Sequence, residues 1–370
     1  KPGFHPWDHD NSDLIARFCH GFGTPNNLIR PTHSADGSPL AHWLSQGWRQ
    51  HAAYDWERTD YLLSFGGALL EAWQPLVRNL RAYARMRRGS PGHRARIVQV
   101  EPRASVTATK ADEWVPIKPG TAGALALGLA HVIVRDEVYD DAFVRERTFG
   151  FASWTDKDGK EHPGFQELVL RDYAPERVAA ITGVEAATIE RIAHEFSGAD
   201  AAVAAGDVTG YTNSLRAQWA IHCLNGLVGS LERPGGVMRQ REPPLADWPE
   251  VATDDVARQG LRRPRVDMAG RDSGLPSRAA VHGLSDPAYP LDVLFLYHAN
   301  PLYDESPLEA WDEVLEQIPL VVSLSPYLDE TSAHADLLLP DCTYLEKWGL
   351  EPLEPSLGYP AVSLGQPVVE

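Results

Sequence analysis

The sequence predicts an α/β protein with mainly parallel sheets. Three observations point there. Apolar strand-like runs alternate with helix-like stretches through most of the 370 residues. Several of those runs end in glycine-rich or Pro-Gly turns that open a helix, the grammar of a βαβ unit. With 43% hydrophobic and 23% charged residues, the chain can bury the cores of about two such domains.

The elements follow in order. Residues up to about Trp56 are aromatic and loop-rich. "YLLSFGGALLEAW" (61–73) reads as a buried strand, a Gly-Gly turn and the start of a helix. "ARIVQVEP" (95–102), after the basic stretch "RAYARMRRGSPGHR", is the next strand, closed by an acidic residue. "EWVPIKPGTAGALALGLAHVIV" (113–134) gives a short strand, a Pro-Gly turn and a helix capped by Thr121, whose small residues allow close packing on a sheet. "PERVAAITGVEAATIERIAHEFSGA" (175–199) is two helices broken at Thr182-Gly183. Residues 200–236 repeat strand, glycine turn and long helix, stopping at Pro-Gly-Gly. Residues 237–290, rich in Arg, Pro, Asp and Gly, form a long surface excursion. "LDVLFLYHANP" (291–301), "IPLVVSLSP" (318–326) and "HADLLLPD" (334–341) are strands, with helix "PLEAWDEVLEQ" between the first two.

The bulk numbers exclude some functions. Net charge is −17 with no Lys/Arg block, which argues against nucleic-acid binding. Cys19, Cys223 and Cys342 lie far apart with no Cys-x-x-Cys pair, so they are expected as small buried hydrophobes rather than a disulfide, zinc or iron–sulfur framework. No apolar run approaches the roughly 18 residues of a membrane span, so no direct membrane insertion is expected.

In parallel sheets ligands gather beyond the carboxyl ends of the strands. Six polar loops belong there: "FGGALLEAW", "VEPRAS", "KPGTAGA", "AGDVTGYTNS", "YHANPLYDES" and "SLSPYLDET". Glycine lets a backbone approach a ligand and a helix N-terminus offers N–H groups to an anion, so six such loops suggest an extended phosphate-bearing ligand. Neither G-x-G-x-x-G nor G-x-x-x-x-G-K-[ST] is present. Ser323 or Ser325 with His334 and Asp336 lacks the nucleophile elbow of a hydrolase, and Asp329-Glu330 with Asp336 lacks a calcium loop. His20, His222 and His298 read as satisfied or surface histidines; His33, in "RPTHSADG", stands among polar residues after a glycine-rich turn.

These loops, taken together and in order, carry a resemblance. "RFCHGFGTPN" (17–26), "LLSFGGALLEAW" (62–73), 100–134, 205–237, "LYHANPLYDESP" (296–307) and 321–348 are similar to the large subunit of molybdopterin-dependent oxidoreductases, the dimethyl-sulfoxide-reductase superfamily. The likeness is to its polysulfide, thiosulfate, tetrathionate and quinone-linked branches. It implies two Rossmann-like three-layer α/β/α domains with mainly parallel sheets, one discontinuous: residues 26–195, and residues 1–25 with 196–350, followed by a tail at 351–370.

The resemblance also implies a bis(molybdopterin guanine dinucleotide) cofactor carrying molybdenum or tungsten, held between the two domains. Gly66, Gly67, Glu101, Arg103, Lys118, Gly120 and Thr121 would line one dinucleotide. Gly206, Asp207, Thr209, Ala299, Asn300, Ser323, Ser325, Asp329, Thr331 and Asp341 would line the other. The activity implied is two-electron redox of an oxyanion or sulfur compound. A [4Fe-4S] cluster would sit in an N-terminal domain outside this segment, with an iron–sulfur electron-transfer subunit and a membrane quinone-linked subunit as partners, on the periplasmic side. The chain is expected to be the two central domains of a longer subunit.

Two departures from the family pattern stand out. Many relatives carry an aspartate after "PGT" for guanine, where this chain has Ala122. Catalytic relatives usually present a Cys, selenocysteine, Ser or Asp to the metal soon after "G-[ST]-P-N"; here "GTPNNLIRPTHSADG" offers Thr32, His33, Ser34 or Asp36, of which Thr32 and His33 are the catalytic candidates. Both departures keep open an alternative, a cofactor-free structural subunit of a quinone-oxidoreductase complex that retains the fold.

Overall fold

The computed structural model describes residues 12–28, 37–48, 50–73, 75–88, 94–206, 211–241, 246, 248–266, 284, 286, 288–304, 310–353 and 360–369. It is a mixed α/β protein with parallel sheets. Contacts divide it into two compact units. One comprises Lys1–Thr32, Pro243–Pro352 and Ala361–Glu370; the larger comprises His33–Glu242 and Leu353–Pro360.

Helix α1 (Ser12–Phe22) opens the smaller unit. The larger unit then runs α2 (Gly37–Gln46), β1 (Ala52–Tyr54), β2 (Tyr61–Phe65), α3 (Leu76–Arg88), β3 (Arg96–Val100), α4 (Val106–Lys110), β4 (Glu113–Val115) and α5 (Ala122–Arg135). It continues with α6 (Asp141–Arg147), the short pair β5 (Trp154–Thr155) and β6 (Glu161–His162), α7 (Phe165–Asp172), α8 (Pro175–Thr182) and α9 (Ala186–Ser197). It closes with β7 (Ala202–Gly206), α10 (Ser214–Leu227) and β8 (Val237–Arg239), which pairs antiparallel with β1.

Strands β4, β3, β2 and β7 lie in that order and all run parallel. β2, β7 and nearly all of β3 are buried, as expected of parallel strands covered on both sides. Alternation along β2 sorts the side chains: Tyr61, Leu63 and Phe65 meet Leu125, Leu129, Ile189, Phe196 and Ile221 from α5, α9 and α10. Leu62 points the other way, into a cluster with Ile97, Val203, Ala82 and Met86, the last two from α3. The small residues of α5 serve helix–helix approach: a Cβ on Gly123 would lie 2.9 Å from Ala217 Cα, and one on Gly128 2.9 Å from Val178 Cγ1.

The smaller unit adds α11 (Asp255–Gly260), β9 (Leu294–Tyr297), α12 (Pro301–Asp304), α13 (Trp311–Gln317), β10 (Val321–Leu324), β11 (Leu337–Leu338), β12 (Gly349–Leu353) and β13 (Ala361–Gly365). Strands β11, β10 and β9 form a second parallel sheet. Its core gathers Leu296, Val314, Leu315, Ile318 and Val321 with Val266 and Leu284.

Several expectations are corrected. The first lobe does not end at residue 195: β7 pairs with β2 from Tyr61↔Ala202 to Phe65↔Gly206, so the break falls after residue 242. "LLEAW" is a turn, not a helix start, because Trp73 folds back over Gly67 and the helix waits until after Pro75. The long helix of 200–236 stops at Leu227, where Gly229 takes φ +61°, rather than at Pro234. The loop-rich N-terminal stretch contains α1, α2 and β1, and the excursion 237–290 contains β8 and α11. Cys342 is exposed rather than buried.

Candidate functional site

In the larger unit the register places Phe65 opposite Val100 and Gly206, and Val100 opposite Val115. The loops after these strands therefore leave from one edge of the sheet. Gly66 has φ +70° and its N–H donates to the Val100 carbonyl at 2.9 Å. A Cβ on Gly67 would lie 2.7 Å from the Trp73 ring and 2.9 Å from Ser64 Oγ, so only glycine fits without rearrangement. The buried Gln99 amide donates to the Gly67 carbonyl at 3.1 Å and fixes the turn from below. Ser64 Oγ and Gln99 Oε1 are buried there without a hydrogen-bond partner.

Glu101 follows β3 and is nearly buried. Its Oε1 accepts from the Ser105 N–H at 3.2 Å, and its carbonyl accepts from Trp114 Nε1 at 3.0 Å. Ser105 in turn caps α4 through Ala108 N–H, 3.1 Å. Glu71 accepts from the Thr107 N–H at 3.1 Å, which holds its carboxyl below the usual range, and stands 3.8 Å from the exposed guanidinium of Arg103.

The Lys118 ammonium donates to the Ala180 carbonyl at 3.1 Å. Thr121 precedes α5 but does not cap it; its hydroxyl donates back to the Lys118 carbonyl at 2.6 Å. The first N–H groups of a 14-residue helix thus have no side-chain acceptor from their own N-cap residue. Gly120 has φ +78°, its carbonyl accepts from Asn213 Nδ2 at 2.9 Å, and the nearest atoms to a Cβ there would be those of the Tyr211 ring, from 3.6 Å. Gly206 is pinned by Gln218, whose amide donates to its carbonyl at 2.7 Å, and a Cβ on it would press on Ile221 at 2.9 Å. Gly206 shares this sheet with Gly66, whereas the sequence reading groups it with the loops of the other unit.

In the smaller unit, Tyr297 and Leu324 pair at the ends of β9 and β10. Asn300 Oδ1 accepts from the Thr331 hydroxyl at 2.6 Å, and its amide donates to Glu330 at 2.7 Å, which pulls that carboxyl down. Half-buried Ala299 precedes it. Asp329 takes the Ser332 N–H at 2.7 Å and the Ser325 hydroxyl at 3.3 Å. Ser323 bonds Ser332 at 2.8 Å. Ser323 and Thr331 are fully buried with their hydroxyls engaged, so they brace these loops from within. Asp341 accepts from Tyr297 Oη and His298 Nε2, both at 3.0 Å, from the Cys342 N–H at 2.8 Å, and lies 3.4 Å from Lys347 Nζ. Burial alone would push its carboxyl up, but these donors, Tyr297 first, hold it below the ordinary range.

Of the candidates, Thr32, His33, Asp207 and Thr209 lie outside the described residues. The others fall into two groups, one per unit. Sequence reasoning missed the supports: Ser105, Trp73, Gln218, Asn213 and the Tyr297–His298 pair. Only Ser105 left a signal, a helix-capping residue four positions after Glu101. Ser323, Ser325, His334 and Asp336 form no triad, because Asp336 accepts from the Val321 N–H at 2.8 Å and each serine has its own partner. Among the described residues no group of three or more His, Cys, Asp or Glu is arranged to hold a metal ion, and no helix is long and apolar enough to cross a membrane.

The chain is 28% identical to the arsenate respiratory reductase molybdopterin-containing subunit of Shewanella sp. (strain ANA-3), over 93% of this chain and 43% of that one. It is 28% identical to the thiosulfate reductase molybdopterin-containing subunit of Salmonella typhimurium, over 97% and 47%. It is also 28% identical to the menaquinone reductase, molybdopterin-binding-like subunit of Nitratidesulfovibrio vulgaris, over 91% and 44%. The chain thus spans somewhat under half the length of these relatives. In fold it is similar to the acetylene hydratase of Pelobacter acetylenicus, with a TM-score of 0.72 at 20% identity over 97% of this chain and 51% of that one. The model of the molybdopterin oxidoreductase family matches residues 12–351, and the chain belongs to that family.

Proposed function

We propose that the chain is the cofactor-binding region of a molybdopterin oxidoreductase catalytic subunit, with one pyranopterin guanosine dinucleotide held by each of two Rossmann-like units. The observation that carries the reading is the common edge of the larger sheet. There the Gly66-Gly67 turn, Glu101, Gly206 and the uncapped start of α5 leave from strands in register. At Gly120 the nearest atoms to an added Cβ are those of the Tyr211 ring, from 3.6 Å, ordinary contact rather than a clash. When bound, the cofactor supplies a metal that exchanges two electrons with substrate.

The protein's own contribution is binding and orientation. Backbone N–H groups at Gly120 and the start of α5 would face anionic ligand oxygens, while the Gly66 N–H is spent on the Val100 carbonyl. Glu101 offers the rest of its carboxylate to hydroxyls, with Arg103 and Lys118 as flanking cations. In the smaller unit Asn300, Ala299, Ser325 and Asp329 present the loop surface, while Ser323, Thr331 and Asp341 hold it in shape. Asp207 and Thr209 extend the Gly206 turn, and Thr32 and His33 stand nearest the metal in sequence pattern.

The relatives named as arsenate and thiosulfate reductase subunits support an oxyanion or sulfur compound as substrate. The reading extends to a [4Fe-4S] cluster, an iron–sulfur electron-transfer subunit and a membrane quinone-linked subunit as partners, at the periplasmic face. A second reading, a cofactor-free scaffold, is favoured by Ala122: it lies in the hydrophobic core, and no carboxylate stands at that position. The two separate on substitution. Gly120→Val should lower the pterin retained by the protein at least tenfold while its circular dichroism is kept. Retention equal to wild type, or no pterin in wild type, contradicts the cofactor reading.

A further inference from the structure

Two histidines sit where neither composition nor the loops required them. His42 of α2 and His222 of α10 are fully buried, with ring centroids 3.9 Å apart and planes tilted by 41°. Trp48 stacks on His42 with ring centroids 4.6 Å apart.

Their hydrogen bonds fix both tautomers. His42 Nδ1 lies 2.9 Å from the Gln50 carbonyl, which only accepts, so Nδ1 carries the proton and Nε2 is bare. The Gln218 amide nitrogen donates to the Gly206 carbonyl at 2.7 Å, which sets its orientation. Its second hydrogen faces His222 Nε2 at 3.4 Å, so that nitrogen is bare and Nδ1 carries the proton. The remaining His42 Nε2 and His222 Nδ1 have no hydrogen-bond partner. One is an acceptor and the other a donor, in rings held in contact at a tilt. Buried orphans of this kind are costly, and a structure that keeps two side by side needs a reason for them.

We propose that Gln218, His222 and His42 are positioning residues: a neutral relay that ties the strand end at Gly206 to α2, the helix following Thr32 and His33. The proposal rests on the reading of the Gly206 turn as part of the cofactor cradle. The relay runs from the Gly206 carbonyl through Gln218 and the tilted ring pair to the Gln50 carbonyl, all within the larger unit. Loss of either ring would therefore loosen the strand end and α2 together.

The relay works only while both rings are uncharged. Burial pulls His42 down to about 3, with the Gln50 hydrogen bond opposing and the His51 charge assisting. Burial also pushes His222 well below the usual histidine range, with His42 adding to it. Gln218 and the thiol of Cys223, itself pushed up to about 12 by burial, are the neighbours on α10. Among the described residues no carboxylate hydrogen-bonds either ring.

The sign follows from linkage. Both folded values lie below the unfolded one, so opening is independent of pH above about 6.5 and becomes easier below it. From pH 7 to 5.5 the opening constant should rise about tenfold for each ring released.

Hydrogen exchange of the full-length protein, corrected for intrinsic rates, tests this in peptides covering 37–46 and 202–214. Both should open in step, with a rise of about tenfold to a hundredfold over that pH range. His42→Phe, which keeps a ring on Trp48, should take about tenfold off that rise in both peptides and leave only the share of His222. Profiles that do not depend on pH, or that move independently, overturn the relay. The wild-type profile decides alone where a variant does not accumulate. The same exchange on cofactor-free protein separates the two ideas: an intact relay with no pterin ever bound refutes the cradle and not the relay.

Discussion

Gly120 and Gly123 stand three residues apart and do different work. Gly120 holds φ +78° and a Cβ there would make only ordinary contact with its nearest atoms, those of the Tyr211 ring, so Gly120→Ala should cost about 1 kcal/mol from backbone strain. Gly123 has ordinary helical geometry, but a Cβ there would lie 2.9 Å from the backbone of α10, so Gly123→Ala should cost about 1–3 kcal/mol through overpacking. Urea denaturation of the two variants checks both costs; a Gly123→Ala variant as stable as wild type or more so would mean that α5 and α10 part to admit the Cβ. The glycines were legible in the sequence as turn and packing residues. Their partners were not, since Trp73 over Gly67 and Gln218 under Gly206 depend on how side chains fold back after the turn. The same limit applies to His222: the sequence makes it an ordinary satisfied histidine, and only the approach of α2 shows the ring that faces it.

Among elements, α5 is tied to α9 at its C-terminal end. Asp136, the C-cap residue of α5, accepts from Arg135 at 2.8 Å and lies 2.9 Å from His194 of α9. Arg135 first and His194 second hold its carboxyl down at about 2. A depressed carboxylate stabilises the fold above its unfolded value near 4, and that contribution is lost as pH falls through 4 towards 2. Because the site is partly exposed, Asp136→Asn should cost only about 0.5–1 kcal/mol at pH 7. The gap between wild type and variant should narrow steadily as pH falls below about 4; thermal melts from pH 7 to 2.5 follow it, and a gap independent of pH would place the stabilisation elsewhere. Strand positions were the most legible elements, because β2, β3, β7, β9 and β10 are short apolar runs bounded by turn residues. Helix ends were less so. Gly229 stops α10 five residues before Pro234, and nothing in the local pattern ranks one glycine above another.

For the whole molecule, the alternation of strands and helices was enough to give parallel sheets, and the order of the glycine-rich loops was enough to give the family. The division into units was not. Pairing of β7 with β2 joins residues about 140 apart in sequence, and such a choice is settled by the sheet as a whole rather than by any segment. The same holds for Gly206, which falls in the larger unit because its strand does. The account as a whole claims that these loops hold a metal-bearing pterin. Elemental mass spectrometry of the full-length protein, from a host that loads other molybdoenzymes, with fluorescence of the released pterin, measures that claim directly. About one molybdenum or tungsten and about two pterins per chain is the predicted result. Neither metal nor pterin, in protein that is folded and pure, would contradict it.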